Sequence, residues 1–240
     1  MTRQIIAMGG GGFLMEADNP WLDDYVLTRA RRQPARICFV PTASGDASSN
    51  IVKFYRAFSR RDCKPTDLVL FGSQGLPRQP ALSSDLTGFI AEQDIVYVGG
   101  GNTANMLAVW WAHGLHKILR TAWENGTVMC GISAGMLCWF TAGVTDAFGS
   151  LAPFRDGLGL LPGSACPHYD GEVDRRPRYH ALIRDGFPGG YAADDGAAIC
   201  FEGDKVSEVV SSRRSAGAYH VTLKSGHVVE HVLDTRYLGE

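Results

Sequence analysis

A chain of 240 residues with 45% hydrophobic and 20% charged positions is long enough to bury a substantial core, and one large α/β domain over residues 1–240 is its default organisation. The formal net charge of −2 argues against a protein built to coat nucleic acid or an anionic membrane, and the local arginine clusters at 29–32, 60–61, 175–178 and 213–214 read as solvated faces. Residues 1–8 run straight into glycines without the long apolar segment or cleavage site of a leader. No stretch approaches about 18 uninterrupted apolar residues, so no membrane partner is expected. The six cysteines form no CxxC pair, and Cys38, Cys130 and Cys200 lie inside apolar runs. They read as core thiols of a reducing, cytoplasmic compartment rather than as metal ligands.

Along the chain, short apolar runs alternate with longer amphipathic ones. Residues 4–8 form the first candidate strand, followed by Gly9-Gly10-Gly11-Gly12 and a helix over 20–32 with Asn19 as N-cap and Pro20 in the first helical position. Strands at 36–40, 67–71, 94–98 and 127–132 alternate with helices at 47–61, 83–92 and 103–124, the last carrying Met106, Leu107, Trp110, Leu115, Ile118 and Leu119 at helical spacing. Continuous apolar runs suit strands covered on both faces, so the alternation predicts a mainly parallel sheet with helices on both sides. A further helix is expected at 174–185. Beyond residue 190 the short β-rich runs 197–201, 205–211, 217–223 and 226–233 read as antiparallel hairpins closing one edge of that sheet.

In an open sheet of this kind, sites form beyond the carboxyl ends of the strands. Three unusual loops fall there: Gly9–Gly12, Gly99-Gly100-Gly101-Asn102-Thr103, and Gly131-Ile132-Ser133-Ala134-Gly135. The last sets a serine between small residues at a strand-to-helix turn, where a nucleophile's backbone is strained and the helix amides face a developing oxyanion. A serine hydroxyl needs a base, usually a histidine oriented by a carboxylate. Among seven histidines, His113 and His116 sit in the 103–124 segment, His180 in the 174–185 helix, and His220, His227 and His231 in the terminal strands. His168, in Cys166-Pro167-His168-Tyr169-Asp170-Gly171, stands at a strand end before a turn and is the favoured base, with His220 next. Asp146, Asp170, Asp194, Asp195 and Glu202 are all in loop-like settings that would suit the orienting carboxylate, although Glu202 reads more simply as a hairpin acid beside Gly203-Asp204.

Val98-Gly99-Gly100-Gly101-Asn102-Thr103, Gly131-Ile132-Ser133-Ala134-Gly135, Pro167-His168-Tyr169 and Phe201-Glu202-Gly203, in this order, resemble the peptidase E family of serine peptidases, which also contains cyanophycinases. The resemblance implies a flavodoxin-like three-layer sandwich similar to class I glutamine amidotransferases, and a Ser-His-Glu triad of Ser133, His168 and Glu202. It also implies an oxyanion hole from the amides of Gly101 and Ala134, and a substrate surface including Gly100, Asn102, Tyr169 and Asp170. The implied reaction is hydrolysis of short peptides, dipeptidase- or exopeptidase-like, with no metal or organic cofactor. Met136 and Leu137 depart from the best-known members, which continue with a small residue and an asparagine. Arg175, Arg176 and Arg178 could face a substrate carboxylate or simply form an exposed helix start.

Two rival readings come from the same residues. An α/β-hydrolase esterase would order its triad as Ser133, Asp195, His220, and a nucleotide- or small-ligand-binding module would use Gly9–Gly12 as a phosphate cradle, although the dinucleotide fingerprint fails at Leu14. A homodimer could form through the 103–124 segment, with its adjacent Trp110 and Trp111.

Overall fold

The computed structural model describes residues 2–71 and 85–239. Its larger sheet follows from the apolar runs: β1 (Gln4–Met8), β2 (Ala35–Val40), β3 (Cys63–Asp67), β4 (Ile95–Val98) and β5 (Val128–Ile132) are mutually parallel in the order β1-β5-β4-β2-β3. Alternation along these strands divides the core in two. Ile5, Ala7, Cys38, Val40, Val96, Val98 and Met129 face α4 (Leu86–Ala91), α5 (Thr103–His113) and α6 (Leu115–Glu124). Ile6, Met8, Ile37, Phe39, Tyr97 and Cys130 face α1 (Gly12–Met15), α2 (Trp21–Thr28) and α3 (Ser48–Phe58). The fold is therefore α/β, with helices on both faces of a largely parallel sheet.

β10 (Ala197–Glu202) adds to this sheet antiparallel to β1, pairing Met8 with Ala198 and Gln4 with Glu202. β11 (Lys205–Ser211) and β14 (Thr235–Tyr237) extend it to eight strands. The second predicted hairpin goes elsewhere. β12 (Ala218–Lys224) and β13 (His227–Leu233) join β6 (Phe140–Thr145), β7 (Ala152–Phe154), β8 (Leu161–Cys166) and β9 (Gly190–Ala193) in a six-stranded sheet, ordered β13-β12-β9-β8-β6-β7. Phe140, Leu161, Ala165, Ala193 and Ala218 pack toward the larger sheet, whereas Ala142, Val144, Cys166 and Val221 pack on α8 (Arg175–Arg184).

Several element boundaries differ from the sequence reading. The strand expected at 67–71 lies at Cys63–Asp67, because an edge strand paired only with β2 tolerates Lys64 and Pro65; Leu68 and Leu70 are buried as cover just beyond it. The 103–124 helix breaks at Gly114, whose φ of 70° ends α5 and starts α6, leaving Trp110 buried and Trp111 about half exposed. Pro20 rather than Asn19 occupies the N-cap of α2, and Asn19 Oδ1 accepts from the Trp21 amide at 3.3 Å. The helix predicted over 83–92 is observed over Leu86–Ala91; residues 83 and 84 lie outside the described residues.

Asp23 on α2 is buried and accepts from Tyr97 Oη at 3.2 Å. Burial pushes its carboxyl up to about 7, against the pull of Arg61 and of the hydrogen bonds it accepts. The folded protein thus holds a proton there that the unfolded chain releases near 4, so stability falls as pH rises across that interval and levels off above it. Asp23→Asn should remove this slope. Thermal melts from pH 4 to 8 are expected to show the variant gaining on the wild type up to pH 7, by roughly 10 °C, and a constant difference would count against a protonated Asp23.

Candidate active site

β5 delivers Ser133 at its carboxyl end with φ 57° and ψ −109°, a conformation L-residues seldom adopt. The neighbours explain how it is held. A Cβ at Gly131 would overlap the Gly135 carbonyl, and one at Gly135 would overlap the Val98 carbonyl. The Ser133 amide donates to Met8 O at 3.1 Å, while its carbonyl accepts from Met136 and Leu137, both at 2.9 Å, opening the short α7 (Ala134–Leu137). Met136 and Leu137, where the chain departs from the expected motif, are buried core residues.

The glycine turn after β4 lies against the serine. A Cβ at Gly100 would stand 3.3 Å from Ser133 Cβ and 3.8 Å from its Oγ, so a side chain there would crowd the hydroxyl. Gly101, at φ 138°, passes so close to the Ala43 carbonyl that only glycine fits. Asn102 caps α5 by accepting from the Asn105 amide at 2.8 Å and donates its Nδ2 to Ala147 O at 2.9 Å.

His168 follows β8, again at positive φ (52°), with its amide donating to Gly9 O at 3.2 Å. Its Nδ1 lies 2.6 Å from Asp195 Oδ1, and both side chains are about 15% exposed. Asp195 sits in the turn between β9 and β10, where its amide donates to Asp170 Oδ1 at 2.8 Å. A Cβ at Gly10 or Gly171 would overlap its carboxylate, so two glycines make the space that the acid occupies. Burial pushes the Asp195 carboxyl up, but the hydrogen bond and charge of His168, with Arg213 and Arg175 farther out, bring it below its ordinary value.

Ser133 and His168 line one pocket of about 290 Å³ with Gly101, Asn102, Asp146, Ala147, Glu172 and Arg175. Larger hollows of about 610 and 360 Å³ lie along α3 and beside Tyr25, but neither combines a nucleophile with a base. Among the described residues no group of three or more His, Cys, Asp or Glu side chains is arranged to hold a metal.

The model of peptidase family S51 matches residues 5–209. The chain is 53% identical over 238 residues, 99% of its length and 100% of the relative's, to the uncharacterized peptidase YgaJ of Bacillus subtilis (strain 168). The chain belongs to peptidase family S51. Peptidase E of Pasteurella multocida (strain Pm70) is 24% identical over 196 residues, 78% of each chain. A crystal structure of a peptidase from an acI-B1 Actinobacterium shares the fold at a TM-score of 0.63 and 16% identity, covering 98% of this chain and 95% of that one. The protein is a serine peptidase, and neither rival reading is favoured.

Within this S51 chain, the structure brings together Ser133, His168, Gly100, Gly101, Ala134 and Asn102, but not Glu202. β10 runs antiparallel to β1, so its start lies beside the site and its end at the amino-terminal end of β1, where Glu202 faces Gln4. There Glu202 Oε1 accepts from Arg29 Nη2 at 3.5 Å. Tyr169 also departs from expectation. It is buried with Tyr179 and hydrogen-bonded to Glu230 and His180 rather than facing the pocket. Asp170 braces the Asp195 turn, and its side chain does not line the pocket.

The rivals' residues are likewise accounted for. His220 stacks on Tyr191 at 4.8 Å, and burial together with His231 pushes its pKa down; Asp195 is bound to His168 instead. Gly9 and Gly10 press on the backbone and side chains of Ala193–Asp195, which fills the loop that a phosphate would need. Arg176 pairs with Glu230, and Arg178 donates to Leu151 O, so neither is presented to substrate. Arg175, one of the three arginines offered as facing substrate, does line the pocket, whereas Asp146 and Glu172 as wall residues were not readable as such, because only the fold brings the end of β6 to the turn after His168.

Proposed function

We propose that this peptidase cleaves short peptides through an acyl-enzyme on Ser133, with His168 as general base and Asp195 as its orienting acid. The observation that carries the reading is His168 on the wall of the Ser133 pocket with Nδ1 fixed by a carboxylate 2.6 Å away. An ionised Asp195 makes Nδ1 the protonated nitrogen and leaves Nε2 to take the serine proton. As the hydroxyl attacks the carbonyl carbon, the amides of Gly101 and Ala134 would stabilise the oxyanion. Among the described residues neither donates to a backbone carbonyl. His168 then protonates the departing amine, and water repeats the sequence to release the acid.

The pocket volume supports short substrates, being at the small end of the range for ligand sites. Six free cysteines, five of them buried, support a reducing, cytoplasmic setting, and no helix among the described residues is long and apolar enough to cross a membrane. A fluorophosphonate should label Ser133 alone, and digestion of a peptide library read by mass spectrometry should show cleavage near chain ends. Absence of both labelling and cleavage in folded protein would remove the Ser133 assignment.

A further inference from the structure

The charged groups around Ser133 differ in how far they are already committed. Arg175 supplies the guanidinium of the pocket wall, and its side chain is 3% exposed. Its Nε and Nη2 engage Glu172 at 2.7 and 3.2 Å, and Nη1 donates to Val144 O at 3.1 Å. A guanidinium binds a carboxylate by presenting an open pair of N–H groups, and here that pair is closed by Glu172. The side-chain amide of Asn102 gives one N–H to Ala147 O. Arg175 Nη2 also lies 3.9 Å from Asp146 Oδ2, so one guanidinium serves two carboxylates, Asp146 and Glu172, whose side chains are 61% and 45% exposed.

The sign of the pocket follows. Two carboxylates stand against one guanidinium, with the His168–Asp195 pair beside them. A substrate carboxylate would meet two acidic side chains whose shared guanidinium is already engaged, whereas an ammonium or guanidinium would meet acceptors it can use.

We propose that the Ser133 pocket selects peptides carrying a positive charge on the residue next to the scissile bond, with Glu172 and Asp146 as the specificity-determining residues. The inference rests on the peptidase reading of Ser133. Arg175 acts as a positioning residue, joining the end of β6 to the turn after His168 and fixing the Glu172 carboxylate at the pocket wall. The charge recognised is either a free α-ammonium or a lysine or arginine side chain, since both present the same chemistry to the acids.

The test is kcat/KM on matched peptides with Lys, Arg, norleucine or Asp on the acyl side of the bond, each with a free and an acetylated N-terminus. A cationic peptide is expected to exceed its neutral counterpart by on the order of tenfold, with the Asp peptide slowest. Loss of the preference on acetylation assigns it to the α-ammonium, and its persistence assigns it to the side chain. Glu172→Gln with Asp146→Asn should bring the ratio of cationic to neutral rates toward one, and Asp146→Asn alone, on an exposed loop, should lower it part of the way. Independently of turnover, the Ser133→Ala protein should bind the Lys peptide more tightly than the Asp peptide in calorimetric titration. Equal rates and equal binding, or a preference for Asp, would overturn the proposal even if fluorophosphonate labels Ser133; failure of labelling would instead strike at the peptidase chemistry.

Discussion

Ser133→Ala is expected to fold normally and to lose roughly 10⁵-fold or more in kcat. The substitution removes only Oγ. The amide bond to Met8 O and the carbonyl bonds from Met136 and Leu137 do not involve the side chain, and alanine meets the positive φ of 57° with the same Cβ that serine has. The melting temperature should therefore stay within about 2 °C of the wild type. Hydrolysis of the best library peptide, fluorophosphonate labelling and circular dichroism together check the point. Turnover within tenfold of the wild type would assign the chemistry to another group.

Asp195→Asn should cost about 10⁴-fold in kcat, while Glu202→Gln should leave kcat within about twofold. An asparagine at 195 keeps the space between Gly10 and Gly171, but its amide can donate to Nδ1, turning the imidazole into the tautomer whose Nε2 cannot accept the serine proton. Glu202 is half exposed and touches Arg29 at 3.5 Å, the kind of surface pair that contributes less than about 1 kcal/mol. The sign of the pH effect also differs. The lowered carboxyl of Asp195 contributes stability that is present at neutral pH and is lost as pH falls through its folded value. Equal damage from both substitutions would show that the carboxylate beside His168 is not the functional one.

Much of this was legible because the physics was local. The parallel strands announce themselves as apolar runs buried on both faces; Ser133 stands out as a polar residue in a turn that follows such a run, and His168 as a histidine at a strand end before a turn. The carboxylate beside His168 was not legible for a reason of direction. Asp195 and Glu202 bracket the same apolar strand, and choosing between them requires knowing that β10 runs against β1, which no property of residues 197–202 reveals. The matched Phe201-Glu202-Gly203 motif lies at the end of β10 that pairs with Gln4, away from Ser133. Tyr169 was misplaced similarly: adjacency to His168 suggested the pocket, but successive side chains diverge, and its ring went into the core with Tyr179. The second sheet was hidden by its composition, since β6 to β9 are rich in Gly, Ala, Ser and Thr and lack the continuous apolar runs of the first.

β9 belongs to one sheet and β10 to the other, with Asp195 in the corner between them. Ser133 is carried by the larger sheet and His168 by the smaller, so three groups meet at a seam rather than on a single scaffold. Hydrolytic competence is consequently a property of alignment. A slip of one sheet past the other by a fraction of a hydrogen-bond length would leave both cores intact and every residue present, yet disconnect the proton relay. The enzyme thus carries in its own turnover a gauge of how its two halves are seated.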